Sequence, residues 1–481
     1  MRILISSLAL LSILSPALAA PAPTSAPIAV PKVTAAPPLE NAVGAATLEE
    51  RQLLNSLISG VGSLIGNVQS AVAAQNPTAI VTALVKITPT SRPADIAGCI
   101  SRESSIWANP TTRTDFYQAV ATQVANGLVL DGTLNTALYG GLPVGENSIE
   151  NNNPKPQTTI YPKKDSTDAP YLLSEDALRK AIYIPSGFTY GAKRPVLFVP
   201  GTGSYGGINF GNNIRKLLTG KDYADPVWLN IPGAMLADAQ TNSEYIAYAI
   251  NYISSVSKNN DKIAVVSWSQ GGLDTQWALK YWPSTRKVVT DFLPVSPDFK
   301  GTVLANALCL SASSMGALNI CPPSVIQQEA TSQYVNALRA NGGDSAYVPT
   351  TTFYSGFFDE IVEPQQGTTA SAFLNDARGV GVLNIEVQQY CAGQPGGSFY
   401  GHAGMLFNPL AYALIVDALT NDGPSNLSRV DVSSICNAYA APGLDLDDVI
   451  ATSGLIPVAG LLLLTYPQKM LTEPPLRSYA V

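Results

Sequence analysis

The sequence predicts an α/β fold, an open and mostly parallel sheet with helices on both faces. Three observations predict it. Short apolar runs recur from about residue 166 onward, helical stretches separate them, and small turn residues follow them directly. A strand that is apolar without alternation is buried on both faces, as in a parallel sheet. Alternation of such strands with helices implies crossover connections. The composition supports a large core, with 46% apolar and 13% charged residues. The balance of 28 basic against 35 acidic residues, without basic runs, argues against nucleic-acid binding.

The chain starts with a targeting pattern. Arg2, the apolar run Ile3–Leu14 and Ala17-Leu18-Ala19 form the n-region, h-region and A-x-A site of a secretory signal peptide over residues 1–19. The apolar run is too short to span a membrane, and Pro16 follows it. Residues 20–51 are rich in Ala, Pro and Thr and read as a disordered propeptide ending at Arg51. From 52 to 150 the pattern is helical. Leu54, Leu57, Ile58, Val61, Leu64, Ile65, Val68 and Val72 recur at helical spacing, and further helices cover about Thr78–Ile87 and Asp115–Ala125. The stretch Glu146 to Asp165 is rich in Asn, Pro and Lys and reads as a linker, assigned as 151–165 between the helical section and the next domain.

The catalytic-type domain is assigned to 166–481. Val196–Val199, Val227–Ile231, Ile263–Val266, Val288–Val295 and Thr350–Tyr354 are its strands. Glu244–Val256 and Leu273–Tyr281 are helices between them, the second ended by Pro283. The apolar tail Leu455–Tyr466 is short and interrupted by Pro457, so it is assigned to core packing and the chain to no membrane span. In such a sheet, function sits at the C-terminal ends of the strands.

The sharpest chemical signal is Ser267-Trp268-Ser269-Gln270-Gly271-Gly272, between a buried strand and a helix. A nucleophile elbow needs that context, because a strained turn exposes the serine and tolerates only small neighbours. Ser269 is therefore the candidate nucleophile. Pro200-Gly201-Thr202-Gly203 ends an earlier strand. The backbone amides of Thr202 and Gln270 would face the developing oxyanion, with the Thr202 hydroxyl beside them. The chain has one histidine, His402, in a loop of small residues. A serine nucleophile needs a general base, and no other imidazole exists to supply it. The orienting acid should follow a late strand. Asp359, after Thr350–Tyr354, fits, with Asp298 as its rival.

Taken together, these blocks resemble the family of Candida antarctica lipase B, secreted lipases of the α/β-hydrolase fold. The resemblance covers about 166–481. It rests on Val199–Gly203, Trp268–Gly272, Pro297–Leu304, Asp359–Val362 and His402–Gly404. It implies Ser269, Asp359 and His402 as triad, and Thr202 and Gln270 as oxyanion donors. Trp268 would line the alcohol side of the pocket and Ile361 the acyl side, with Asp298 a polar pocket residue. A Cys391–Cys436 disulfide is also implied. The chain departs from the family at Gly401, commonly Asp, and at Val227, where a family cysteine is expected. The segment 306–323 is longer than the family's and falls where a lid helix would lie. Its Cys309 and Cys321 are expected to pair, leaving Cys99 free among the five cysteines.

The expected protein is thus a secreted, monomeric serine lipase acting on triacylglycerol-type esters at a lipid–water interface. It needs no cofactor. A single histidine and the lack of a C-x-x-C pair argue against a zinc site. Asn426-Leu427-Ser428 is the one open glycosylation sequon, since Pro blocks those at Asn76 and Asn109. The rival readings are a soluble carboxylesterase or polyester hydrolase, and a non-catalytic binding protein on the same scaffold.

Overall fold

Alternate residues of one strand point into two different cores, and this places helices on both faces of the sheet. Val196 and Phe198 belong to one apolar cluster, Leu197 and Val199 to the other. The computed structural model describes residues 62–107, 112–139, 142–258, 261–305 and 321–481. The described residues belong to one compact unit by their contacts.

Five helices lead the described chain: α1 (Gly62–Ala73), α2 (Pro77–Val85), α3 (Ile96–Ile106), α4 (Arg113–Ala125) and α5 (Thr133–Leu138). Asn76 starts α2 by accepting from the Ala79 N–H, with Pro77 at the first helical position. A reciprocal capping box between Thr112 and Asp115 starts α4. The early part of the first predicted helix, residues 54–61, lies outside the described residues, as do the signal-peptide and propeptide segments. Helices α3 and α5 were not anticipated. Ser and Arg interrupt the apolar spacing of α3, and α5 is only six residues long with Asn135 inside it.

The sheet has seven strands in the order β1-β3-β2-β4-β5-β6-β7. They are β1 (Ile182–Tyr183), β2 (Pro195–Val199), β3 (Asp225–Leu229), β4 (Ile263–Trp268), β5 (Val289–Val295), β6 (Thr350–Tyr354) and β7 (Val382–Glu386). Only β1 runs antiparallel to its neighbour. The expected parallel sheet is present, with two edge strands added. Helix α6 (Ala239–Val256) begins five residues before the predicted start, because the Asp238 carboxylate caps it through the Gln240 N–H. Helix α7 (Gln270–Tyr281) begins immediately after Ser269.

The stretch read as a linker is strapped to the sheet. The carbonyl of Glu146 accepts from Trp228 Nε1 and Asn230 Nδ2, and Asn153 Nδ2 donates to Ile182 O. The leading helices share one core with the sheet, since Leu84 and Val120 belong to the cluster of Val196 and Phe353. The apolar tail forms α9 (Leu455–Thr465), directly after α8 (Leu446–Ser453). Leu446–Thr465 is apolar and long enough to cross a membrane by length and composition, but 72% of its apolar window is buried in the fold.

Candidate functional site

Four adjacent strands deliver the candidate residues to one end of the sheet. Thr202 follows β2, Ser269 follows β4, Asp298 follows β5 and Asp359 follows β6. Ser269 has φ 55° and ψ −133°, a conformation that a side-chain-bearing residue adopts only under restraint. The restraint is visible in its neighbours. A Cβ on Gly271 would lie 2.5 Å from Pro200 O and 2.6 Å from Val199 O. A Cβ on Gly201 would meet the Trp268 ring at 2.6 Å and Ser269 Cβ at 2.9 Å. The two turns are therefore pressed together, and only glycine permits it.

His402 is buried beside them. Its Nδ1 lies 3.0 Å from each carboxyl oxygen of Asp359. Asp359 is itself fixed by the N–H groups of Ile361 and Val362, which donate to Oδ1 at 3.1 and 2.8 Å. Nε2 of His402 is buried and makes no hydrogen bond among the described residues. The imidazole packs against the Trp268 indole with ring centres 5.0 Å apart, and Trp268 Nε1 donates to the His402 carbonyl at 3.1 Å. Serine, histidine and Thr202 line one cavity.

Asp298 makes no hydrogen bond to His402. It is fully buried, and neither carboxyl oxygen has a partner outside its own residue. Burial pushes its pKa up to about 7. Nor is it among the residues lining the cavity, whereas Trp268 and Ile361 are.

The Thr202 hydroxyl donates to the side-chain oxygens of Gln270 at 2.7 Å or Gln328 at 3.1 Å. Gln270 Nε2 is held by Asp274 Oδ2 and Met235 O, each at 3.0 Å. Gln270 is also the first residue of α7, where a backbone N–H has no carbonyl one turn back to pair with. That free donor, at the positive end of the helix, suits a developing anion. Gln328 lies on a separate short turn and carried no signal in the sequence.

Glu360, one of the carboxylates between Ser269 and His402 in the sequence, takes a different place from the triad acid. Its Oε2 accepts from the His402 backbone N–H at 2.7 Å. Burial, then the adjacent Asp359, pushes its pKa well above the usual carboxylate range. The same carboxyl explains Gly401, since a Cβ there would lie 2.6 Å from Glu360 Oε2. A small second cavity behind His402 is lined by Glu360 and by Glu103 of α3.

Cys391 and Cys436 form a disulfide, and Cys99 is a free, buried thiol. Cys321 is disulfide-bonded, while Cys309 lies outside the described residues, as does most of the expected lid segment (306–320). Asn426 is exposed. Among the described residues, no His, Cys, Asp and Glu cluster has the arrangement of a metal site.

The chain is 36% identical to lipase B of Pseudozyma antarctica over 291 residues, which cover 60% of this chain and 79% of that protein. The chain belongs to the lipase B family. The crystal structure of Aspergillus fumigatus lipase B matches with a TM-score of 0.77 at 44% identity, covering 88% of this chain and all of that one. No protein-family model matches. As a lipase B family member, the chain has the α/β-hydrolase fold and is a carboxylester hydrolase. The family resemblance read from the separated motifs is therefore correct.

Proposed function

We propose that the protein is a secreted serine lipase working through Ser269, His402 and Asp359. The observation that carries this reading is the pairing of the chain's one imidazole, through Nδ1, with Asp359 beside a strained Ser269. Nε2 takes the Ser269 proton as Oγ attacks the ester carbonyl. The backbone amides of Thr202 and Gln270 and the Thr202 hydroxyl stabilise the tetrahedral oxyanion, each donor contributing about 3 kcal/mol. His402 then protonates the leaving alcohol, and water attacks the acyl-enzyme by the reverse sequence. Asp359 holds the imidazole tautomer and balances the imidazolium charge. The reaction needs no cofactor.

Triacylglycerol-type substrates fit a wall dominated by apolar side chains such as Leu304, Val325, Ile361 and Leu463. Residues 1–19 act as signal peptide and 20–51 as propeptide. Residues 166–481 form the hydrolase domain. Asn426 carries an N-glycan, and Cys309 pairs with Cys321. A serine-directed phosphonate tests the central assignment. It should inactivate the enzyme and add its mass to the peptide containing Ser269. Inactivation with the label on a different serine would refute the assignment.

A further inference from the structure

The wall of the cavity is not supplied by the hydrolase sheet and its helices alone. Phe116, on α4 of the leading helical section, lines the same cavity as Ser269 and His402. Among the described residues it is the one lining residue that comes from before the sheet. Its ring is 2% exposed and is held between Trp107, at 5.8 Å between ring centres, and Tyr117, at 5.1 Å.

Helix α9 also packs on that ring. Gly460 lies against it, and a Cβ there would come within 3.2 Å of the Phe116 ring. Two polar contacts lock α4 to the C-terminal helices. The Tyr117 hydroxyl donates to Gly460 O at 3.3 Å, and Gln123 Nε2 donates to Ser453 O at 2.9 Å. Helix α9 in turn presses on the oxyanion loop, because a Cβ on Gly203 would lie 2.7 Å from Ala459 Cα. Phe116, α9 and the Thr202 loop are thus in register with one another. The space they enclose is small, about 60 Å³. Each ring on the wall therefore has a direct effect on what enters.

We propose that Phe116 is a specificity-determining residue, by which the leading helical section sets the size of ester chain that reaches Ser269. The inference rests on the hydrolase reading above. It makes Phe116, on α4 of the leading section, part of the substrate pocket. The phenyl ring narrows the pocket on one side, so that among triacylglycerol-type esters those with shorter, unbranched acyl chains are favoured. One extra or missing methylene in an apolar pocket changes selectivity by about 10- to 200-fold, and removing a whole ring is a larger change than one methylene.

The test compares kcat/KM for p-nitrophenyl acetate, octanoate and palmitate in the full chain, in Phe116→Ala and in Phe116→Leu. The leucine variant keeps most of the packing against Trp107 and Gly460. The expected result is a rise of at least about tenfold in the ratio of long-chain to acetate activity in Phe116→Ala, with a smaller rise in Phe116→Leu. A purely structural role would lower all three esters by one factor and leave the ratio unchanged, and that result would overturn the proposal. Ser269→Ala is measured alongside. Hydrolysis surviving in that variant refutes the proposed function itself, whereas an unchanged ratio with Ser269→Ala inactive refutes only the role of Phe116.

Discussion

Replacing Glu103 by glutamine should make the stability of the protein less dependent on pH, and the structure sets the size of the effect. Glu103 is 5% exposed, on α3, facing Glu360, Gln123 and Ser453 in the small cavity behind His402. Burial pushes its pKa from an ordinary 4.5 up to about 7. The folded protein therefore holds this proton over a range in which the unfolded chain has released it, so stability falls as pH rises through that window. At about 1.4 kcal/mol per pH unit, the cost at pH 8.5 approaches about 3 kcal/mol. Glutamine keeps the shape and cannot ionise. Urea unfolding followed by tryptophan fluorescence should give equal midpoints for Glu103→Gln and wild type near pH 4.5. The variant should be the more stable at pH 8.5, by up to about 3 kcal/mol. A stability difference that is the same at both pH values would refute the reasoning.

Other outcomes follow from the same geometry. Asp359→Asn keeps the shape but offers Nδ1 the wrong partner, and kcat should fall by about 10⁴ with KM little changed. Thr202→Val removes one oxyanion donor while keeping the backbone amide, and kcat for a short ester should fall by about 10². Gly271→Ala places a methyl against the carbonyls of Val199 and Pro200, so thermal melting should show a loss of about 1–3 kcal/mol. Removing the Cys391–Cys436 bridge by a double serine substitution opens a 45-residue separation and should cost about 2–4 kcal/mol in the same assay.

The parallel sheet was legible because its central strands are apolar on both faces, as in Val196–Val199 and Ile263–Val266. The edge strands were not. Ile182–Tyr183 is two residues long, and Val382–Glu386 is half-buried at its start and contains Asn384. Ser269, Thr202 and Asp359 were legible as candidates because each lies within five residues of the end of a strand, in a turn that contains a glycine or small residues. His402 was legible by elimination, having no competitor. Phe116 and Gln328 carried no such mark. Their roles come from contacts with groups far away in sequence, such as Phe116 with Gly460 and Gln328 with Thr202. Periodicity along the chain reports which face of an element is buried, not what lies opposite it. Asp298 marks the same limit, since its burial without partners depends on packing around β5 that no local pattern encodes.

The central claim is that one imidazole serves Ser269, and His402→Ala tests it most directly. The measurement is kcat/KM for p-nitrophenyl acetate, with the circular dichroism spectrum as a check on folding. The account predicts a native spectrum and a loss of at least about 10⁴-fold, because no second histidine exists to take the Ser269 proton. Activity within tenfold of wild type in a correctly folded variant would contradict it.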